Sequence, residues 1–136
     1  MRTVVVIPAY NEETTVAGVV RGVREFIPDV IAVDDGSTDA TGERSRSSGA
    51  DVVTHCVNRG LGAALGTGIA AALAAGADTI VTLDADGQHN PSDIAAVIAP
   101  IQAGFADLVI GVRFFPPPHA PPPGGKGGNE KTFLPL

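Results

Sequence analysis

Val4-Val5-Val6-Ile7-Pro8-Ala9-Tyr10-Asn11-Glu12-Glu13 is the stretch that decides the class of fold. Four consecutive β-branched residues read as a strand buried on both faces, which an antiparallel edge would not require. Pro8 stops the run. Asn11 is a good helix N-cap, and Glu12 and Glu13 follow in the first turn, where the helix dipole favours carboxylates. Val16, Val19, Val20, Val23 and Ile27 then recur at helical spacing, until Pro28 ends the pattern. A two-sided strand, a polar turn and an amphipathic helix together make one βα unit.

Outward from that unit the alternation repeats. Residues 30–33 form a second strand, closed by Asp34-Asp35-Gly36-Ser37-Thr38-Asp39, turn chemistry that merges into a helix cap at Ser37 or Thr38. A weakly patterned helix ends at Gly49. Residues 51–56 form strand three, followed by Asn58-Arg59-Gly60-Leu61-Gly62. An Ala-rich helix runs to about Ala75, with Gly76 as its stop. Residues 79–83 form strand four. Asn90-Pro91-Ser92-Asp93 opens another helix, with a cap and then proline at the first position. Pro100 kinks that helix, Gly104 ends it, and residues 107–111 read as strand five. Strands alternating with helices predict an α/β fold with a mostly parallel sheet and helices on both faces. After Arg113 the composition changes: seven of the eleven prolines and four of the seventeen glycines fall in residues 114–136. Such a segment cannot bury a core. The expected organisation is a domain over residues 1–113 and a disordered Pro/Gly-rich tail over 114–136.

The chain has 136 residues, enough for one domain with a single core, and 44% of them are hydrophobic. A formal charge of −6 argues against nonspecific nucleic-acid binding, which needs a basic face. An acidic protein that handles a phosphorylated ligand would recruit a cation for it. Cys56 is the only cysteine, so no internal disulfide is expected and a reducing compartment is the simpler assumption. Met1-Arg2-Thr3 runs straight into a strand, leaving no room for a signal peptide. No uncharged apolar run reaches the roughly 18 to 20 residues needed to span a bilayer; Asp78 interrupts the longest. A soluble, cytoplasmic protein is the expectation.

The polar clusters all fall at the carboxyl ends of predicted strands: 8–12, Asp34-Asp35, 58–62 and 84–88. Ligands bind to open parallel sheets on that rim, near the switch point in strand order. Thr82-Leu83-Asp84-Ala85-Asp86-Gly87-Gln88-His89 carries the most chemistry. An Asp-x-Asp pair at the end of a buried strand offers two hard oxygen ligands suited to Mg²⁺ or Mn²⁺, and that ion would attract a phosphate. One Asp capping the next helix while the other is solvated is the plainer alternative, but both precede Asn90, the expected cap, by several residues. Asp34 and Asp35 repel each other and need hydrogen bonds, solvent or a cation to coexist. Tyr10 offers a flat face to a nucleobase or is an ordinary half-buried aromatic. Glu12 or Asp35 can accept hydrogen bonds from base edges or ribose hydroxyls.

Other motifs are weaker. Gly60-x-Gly62 is half a dinucleotide fingerprint, but Leu65 stands where the third glycine belongs, and no Walker phosphate loop is present. His55, His89 and His119 lack zinc spacing. His55 reads as structural; His89 either touches a phosphate or acceptor or is a solvated turn residue. Neither a serine nor Cys56 sits in a nucleophile elbow.

Four ordered motifs, 6–13 (VIPAYNEE), 33–39 (VDDGSTD), 58–64 (NRGLGAA) and 83–89 (LDADGQH), resemble the N-terminal part of the family 2 glycosyltransferases. The branch most similar is that of the dolichyl- and polyprenyl-phosphate mannosyl- and glucosyltransferases. The resemblance spans residues 2 to about 113. It implies a GT-A (Rossmann-like) three-layer fold, C-terminally truncated, and inverting transfer of a hexose from a GDP- or UDP-linked sugar to a lipid-phosphate acceptor. It also makes association with a membrane surface possible. By the same resemblance Pro8, Tyr10, Glu12, Val33 and Asp35 would hold the nucleoside, with Asp84 and Ala85 also on the donor. Asp84 and Asp86 would hold Mg²⁺ or Mn²⁺, joined by Gln88. Arg113, in a Gly-Val-Arg that departs from the family's Gly-Ser-Arg at Val112, would lie near phosphates, and Gly66 replaces a residue that is often basic. The family's acceptor-binding part and general base lie beyond strand five, where this chain has its Pro/Gly tail. A nucleotide-sugar binding module without turnover therefore stands beside the enzyme reading. A sugar-nucleotide pyrophosphorylase is the third reading; it would call for a basic Gly-rich loop after strand one, which Pro8-Ala9-Tyr10-Asn11-Glu12 is not.

Overall fold

Thr3–Ala9 forms β1, an interior strand of an all-parallel sheet in the computed structural model, which describes residues 1–112 of the chain. Its side chains divide by parity, as those of a strand buried on both faces must. Val5, Ile7 and Ala9 enter one core, and Val4 and Val6 the other. The remaining elements are α1 (Val16–Arg24), β2 (Val30–Asp34), α2 (Thr41–Ser47), β3 (Asp51–Thr54), α3 (Leu61–Ala74), β4 (Thr79–Thr82), a 3₁₀ turn (Pro91–Asp93) and α4 (Ile94–Gln102). The sheet order is β3-β2-β1-β4. The chain therefore steps outward twice, then crosses back past β1 to place β4 on its other side.

That reversal fixes the layers. Val16, Val19, Val20 and Val23 of α1 and Ile94 and Ile98 of α4 pack on the face carrying Val5 and Ile7. Ala64 and Ala72 of α3 pack on the opposite face, against Val4, Val6, Ile31 and Val33. Reversing direction along the sheet while keeping right-handed crossovers requires this change of face. The inward stripe of α3 is Ala64, Gly68 and Ala72, small residues that let the helix sit close to the sheet. A Cβ on Gly68 would lie 2.2 Å from Val6 Cγ1, so no larger side chain fits without moving the helix.

Three sequence expectations change here. Asn11 does not cap α1. It adopts a left-handed φ of 50°, its Oδ1 accepts from the Thr38 N–H at 2.9 Å, and its own N–H donates to Ser37 Oγ at 3.0 Å. The side chain that could have capped is used to join the β1 and β2 loops, and α1 begins only at Val16. Glu12 and Glu13 accordingly lie ahead of that helix; Glu13 Oε2 instead accepts from the Ala40 N–H at the start of α2. Neither Ser37 nor Thr38 caps α2: its N-cap position is Ala40, which offers no side-chain cap, and Asp39 just ahead of it accepts from the Thr41 N–H through Oδ1 at 2.9 Å. Asn90 does cap as expected, accepting from the Ser92 N–H at 3.1 Å.

Strand five is the third. Residues 107–111 form no strand; the described residues hold a four-stranded sheet. Together with β4 they line a cavity of about 870 Å³. Only Val109 and Ile110 are β-branched there, and among the described residues β4 pairs with β1 alone. Arg113 and the tail over 114–136 lie outside the described residues.

Candidate functional site

Pro8 opens the site. β1 pairs with β4 only over Thr3–Val6, whereas its pairing with β2 continues to Ala9. Pro8 has no N–H to donate, and it stands where the β4 ladder has already stopped. The ends of β1 and β4 part there, at the point where strand order reverses, which is where open parallel sheets form their ligand crevice. The result is a crevice of about 370 Å³ lined by Pro8, Tyr10 and Glu12 from β1 and its loop, Asp35 after β2, Asn58 and Gly60 before α3, and Asp84, Ala85 and Asp86 after β4. All four clusters read from the sequence converge on it.

At one end lies Asp35, 3% exposed. Its Oδ1 accepts from the Arg59 N–H at 2.9 Å and bonds His55 Nδ1 at 2.7 Å; its Oδ2 accepts from the Gly60 N–H at 2.9 Å. Burial alone would raise its pKa. The hydrogen bonds from the Arg59 N–H, the His55 ring and the Gly60 N–H outweigh that and hold the carboxyl below its ordinary range. The neighbouring Asp34 turns away, accepting from the Ser37 N–H at 3.0 Å. The repulsion expected between adjacent aspartates is thus relieved by separate hydrogen-bond sets. Tyr10 is 46% exposed, so its ring is a crevice wall and no part of the core.

Gly36 holds these loops together. Its φ is +71°, and a Cβ would lie 2.4 Å from both Asn58 N and Val57 C. Gly36→Ala therefore combines a left-handed backbone with a clash against main chain that cannot swing aside. The expected cost is about 2–4 kcal/mol, measured as a lowered urea midpoint; an unchanged midpoint would mean that the 36 and 57–58 backbones are not in contact.

The other end is acidic. Asp84 is exposed and Asp86 half-buried. Asp84 Oδ2 lies 3.1 Å from His89 Nε2, and Asp86 Oδ1 accepts from the Gln88 N–H at 3.0 Å. Between them Ala85 is buried, and its carbonyl accepts from Thr15 Oγ1 at 2.7 Å, tying the loop to the start of α1. No sequence signal marks Thr15, since a threonine ahead of a helix reads equally as an anchor or as a solvated residue. The donor set suits a hard divalent cation. Among the described residues no group of three or more His, Cys, Asp or Glu is gathered to hold a metal. Mg²⁺, however, is commonly bound by one or two carboxylates, with waters and substrate phosphates supplying the rest, and Asp84 and Asp86 fit that pattern.

Not every expected residue reaches the crevice. Val33 is fully buried in the core beneath α3 and does not line it. Gln88 and His89 line the adjoining 870 Å³ cavity. Arg113 lies outside the described residues. His55, read as structural, is buried and serves Asp35 directly.

The profile described as "Glycosyl transferase family 2" matches residues 4–122. Over 126 residues the chain is 39% identical to the UDP-N-acetylglucosamine–dolichyl-phosphate N-acetylglucosaminyltransferase of Methanococcus voltae, covering 79% of this chain and 50% of that protein. Over 139 residues it is 37% identical to the undecaprenyl-phosphate mannosyltransferase of Micrococcus luteus, covering 97% and 54%. The chain thus spans about half the length of the curated relatives it matches. Among solved structures, glucosyl-3-phosphoglycerate synthase from Mycobacterium tuberculosis, crystallised with Mn²⁺, UDP-glucose and phosphoglyceric acid, superimposes with a TM-score of 0.65 at 32% identity, over 76% of this chain and 40% of that one. The three-layer parallel architecture is the GT-A fold. Profile, relatives and fold agree: the chain belongs to glycosyl transferase family 2.

Proposed function

We propose that the crevice is the donor site of an inverting hexosyltransferase that uses a nucleotide sugar and a lipid-phosphate acceptor. One observation carries the reading: an aromatic ring and a buried carboxylate (Tyr10, Asp35) line the same crevice of about 370 Å³, at the switch point of the sheet, as a second pair of carboxylates (Asp84, Asp86). Tyr10 would stack on the base and Asp35 accept from its edge. A carboxylate has about four acceptor positions; the protein occupies three of those on Asp35. The one left suits uracil, with its single ring N–H, better than guanine, whose edge presents adjacent donors, and a UDP sugar is the donor proposed. Asp84 and Asp86 would hold Mg²⁺ or Mn²⁺, which when bound supplies positive charge to the departing diphosphate. An acceptor phosphate is already ionised and needs little general-base help.

Relatives named for dolichyl- and undecaprenyl-phosphate support the acceptor class. Because the chain spans about half of them, a nucleotide-sugar binding module without turnover is the second reading. Incubation with radiolabelled UDP-hexose, Mn²⁺ and polyprenyl phosphate separates the two. Labelled lipid product is expected; tight UDP binding with no product after prolonged incubation would leave the binding module, and no UDP binding at all would overturn both.

A further inference from the structure

His55 and Thr67 stand behind the crevice and line no part of it. Thr67 Oγ1, on the second turn of α3, lies 2.8 Å from His55 Nε2, and His55 Nδ1 lies 2.7 Å from Asp35 Oδ1. Asp35 and the His55 ring are both buried and Thr67 is partly so; among the described residues every buried polar side-chain atom has a partner. A buried imidazole with both nitrogens engaged cannot rotate without breaking a bond to one neighbour. Asp35 is correspondingly clamped from two directions, by the His55 ring behind it and by the Arg59 and Gly60 N–H groups beside it.

We propose that Thr67 and His55 are positioning residues for the donor: the Thr67–His55–Asp35 relay fixes the rotation of the Asp35 carboxylate so that its one remaining acceptor position meets the ligand's nucleoside. The relay also joins α3 to Asp35, so α3 acts on the nucleoside and not on the diphosphate. Neither His55 nor Thr67 bonds Asp84, Asp86 or the loop between them.

The inference rests on the crevice being a nucleotide-sugar donor site, and its test distinguishes the two. The affinities of UDP and of inorganic pyrophosphate, each with Mn²⁺, are measured by calorimetry on the unmodified chain, Thr67→Val and Thr67→Ser. Valine keeps the shape of threonine and removes its hydroxyl. Thr67→Val is expected to weaken UDP about five- to tenfold, the worth of one buried hydrogen bond, while pyrophosphate stays within about twofold; Thr67→Ser restores UDP affinity. Thr67→Ala gives the same comparison if valine does not fit against the ring. Equal UDP affinity in Thr67→Val and the unmodified chain would overturn the inference, as would a parallel loss of UDP and pyrophosphate, the mark of a merely structural role. Failure of the unmodified chain to bind UDP would instead bring down the donor-site reading, and the relay's role with it.

Discussion

Asp86→Ala will bind UDP at least about a hundredfold more weakly than the unmodified chain when Mn²⁺ is present, and no differently when Mn²⁺ is chelated. Outer-shell partners of a metal ligand commonly contribute 10- to 100-fold to affinity, so loss of a ligand itself belongs at or beyond the upper end, about 2.7 kcal/mol. Among the described residues no group of three or more His, Cys, Asp or Glu is gathered to replace the lost ligand, and the imidazole nearest the pair, His89, lies against Asp84 Oδ2. Folding should be nearly unaffected, because Asp86 is half-buried and, among the described residues, bonds only the Gln88 N–H two residues on; a change within about 0.5 kcal/mol in urea unfolding is expected. Calorimetric titration of both proteins with UDP, with and without Mn²⁺, is the measurement. Equal affinities in the presence of Mn²⁺ would remove Asp86 from the cation site.

Much of this site is legible in the sequence, for a physical reason. β-branched runs announce buried parallel strands, and in a parallel sheet every strand's carboxyl end lies on one rim, so the clusters around Pro8, Asp35, Asn58 and Asp84 had to converge. Local chemistry was less legible. Asn11 has the composition of a cap, yet a tertiary hydrogen bond to Thr38 claims its side chain. Residues 107–111 read as a strand but join no ladder among the described residues. Periodicity can place Val33 on a sheet, but not how deep it lies: paired with Pro8 it is fully buried against α3 and is not among the residues that line the crevice. The link from Thr67 through His55 to Asp35 spans 32 positions and three elements, and no local pattern encodes it.

Asp35→Asn is the second large effect, and it is carried by stability and its dependence on pH. The carboxylate accepts from three donors in a buried setting. An amide of the same shape offers one oxygen and one NH₂. With the oxygen turned to His55 and the Arg59 N–H, the NH₂ meets the Gly60 N–H donor to donor, and the bonds that remain lose their charge assistance. A cost of about 2–4 kcal/mol at pH 7 follows, read from urea unfolding. The pH dependence has a definite sign. The folded-state pKa of Asp35 lies below its ordinary value, so as pH falls the unfolded chain takes up the proton first. Its contribution is complete above the unfolded value of about 3.9 and is lost as pH drops from there through the folded value. The unmodified chain should therefore lose stability faster than Asp35→Asn below about pH 4, and the gap between the two should narrow. Asp39 shifts in the same direction, its own burial outweighed by hydrogen bonds from the Thr41 side chain and from the Thr41 and Glu13 N–H groups. It is present in both proteins, so some acid sensitivity will persist in the variant. A gap that stays constant from pH 6 to about pH 3 would show that protonation of Asp35 is not what acid acts on, and would leave the hydrogen bonds from Arg59, Gly60 and His55 without the energetic role assigned to them.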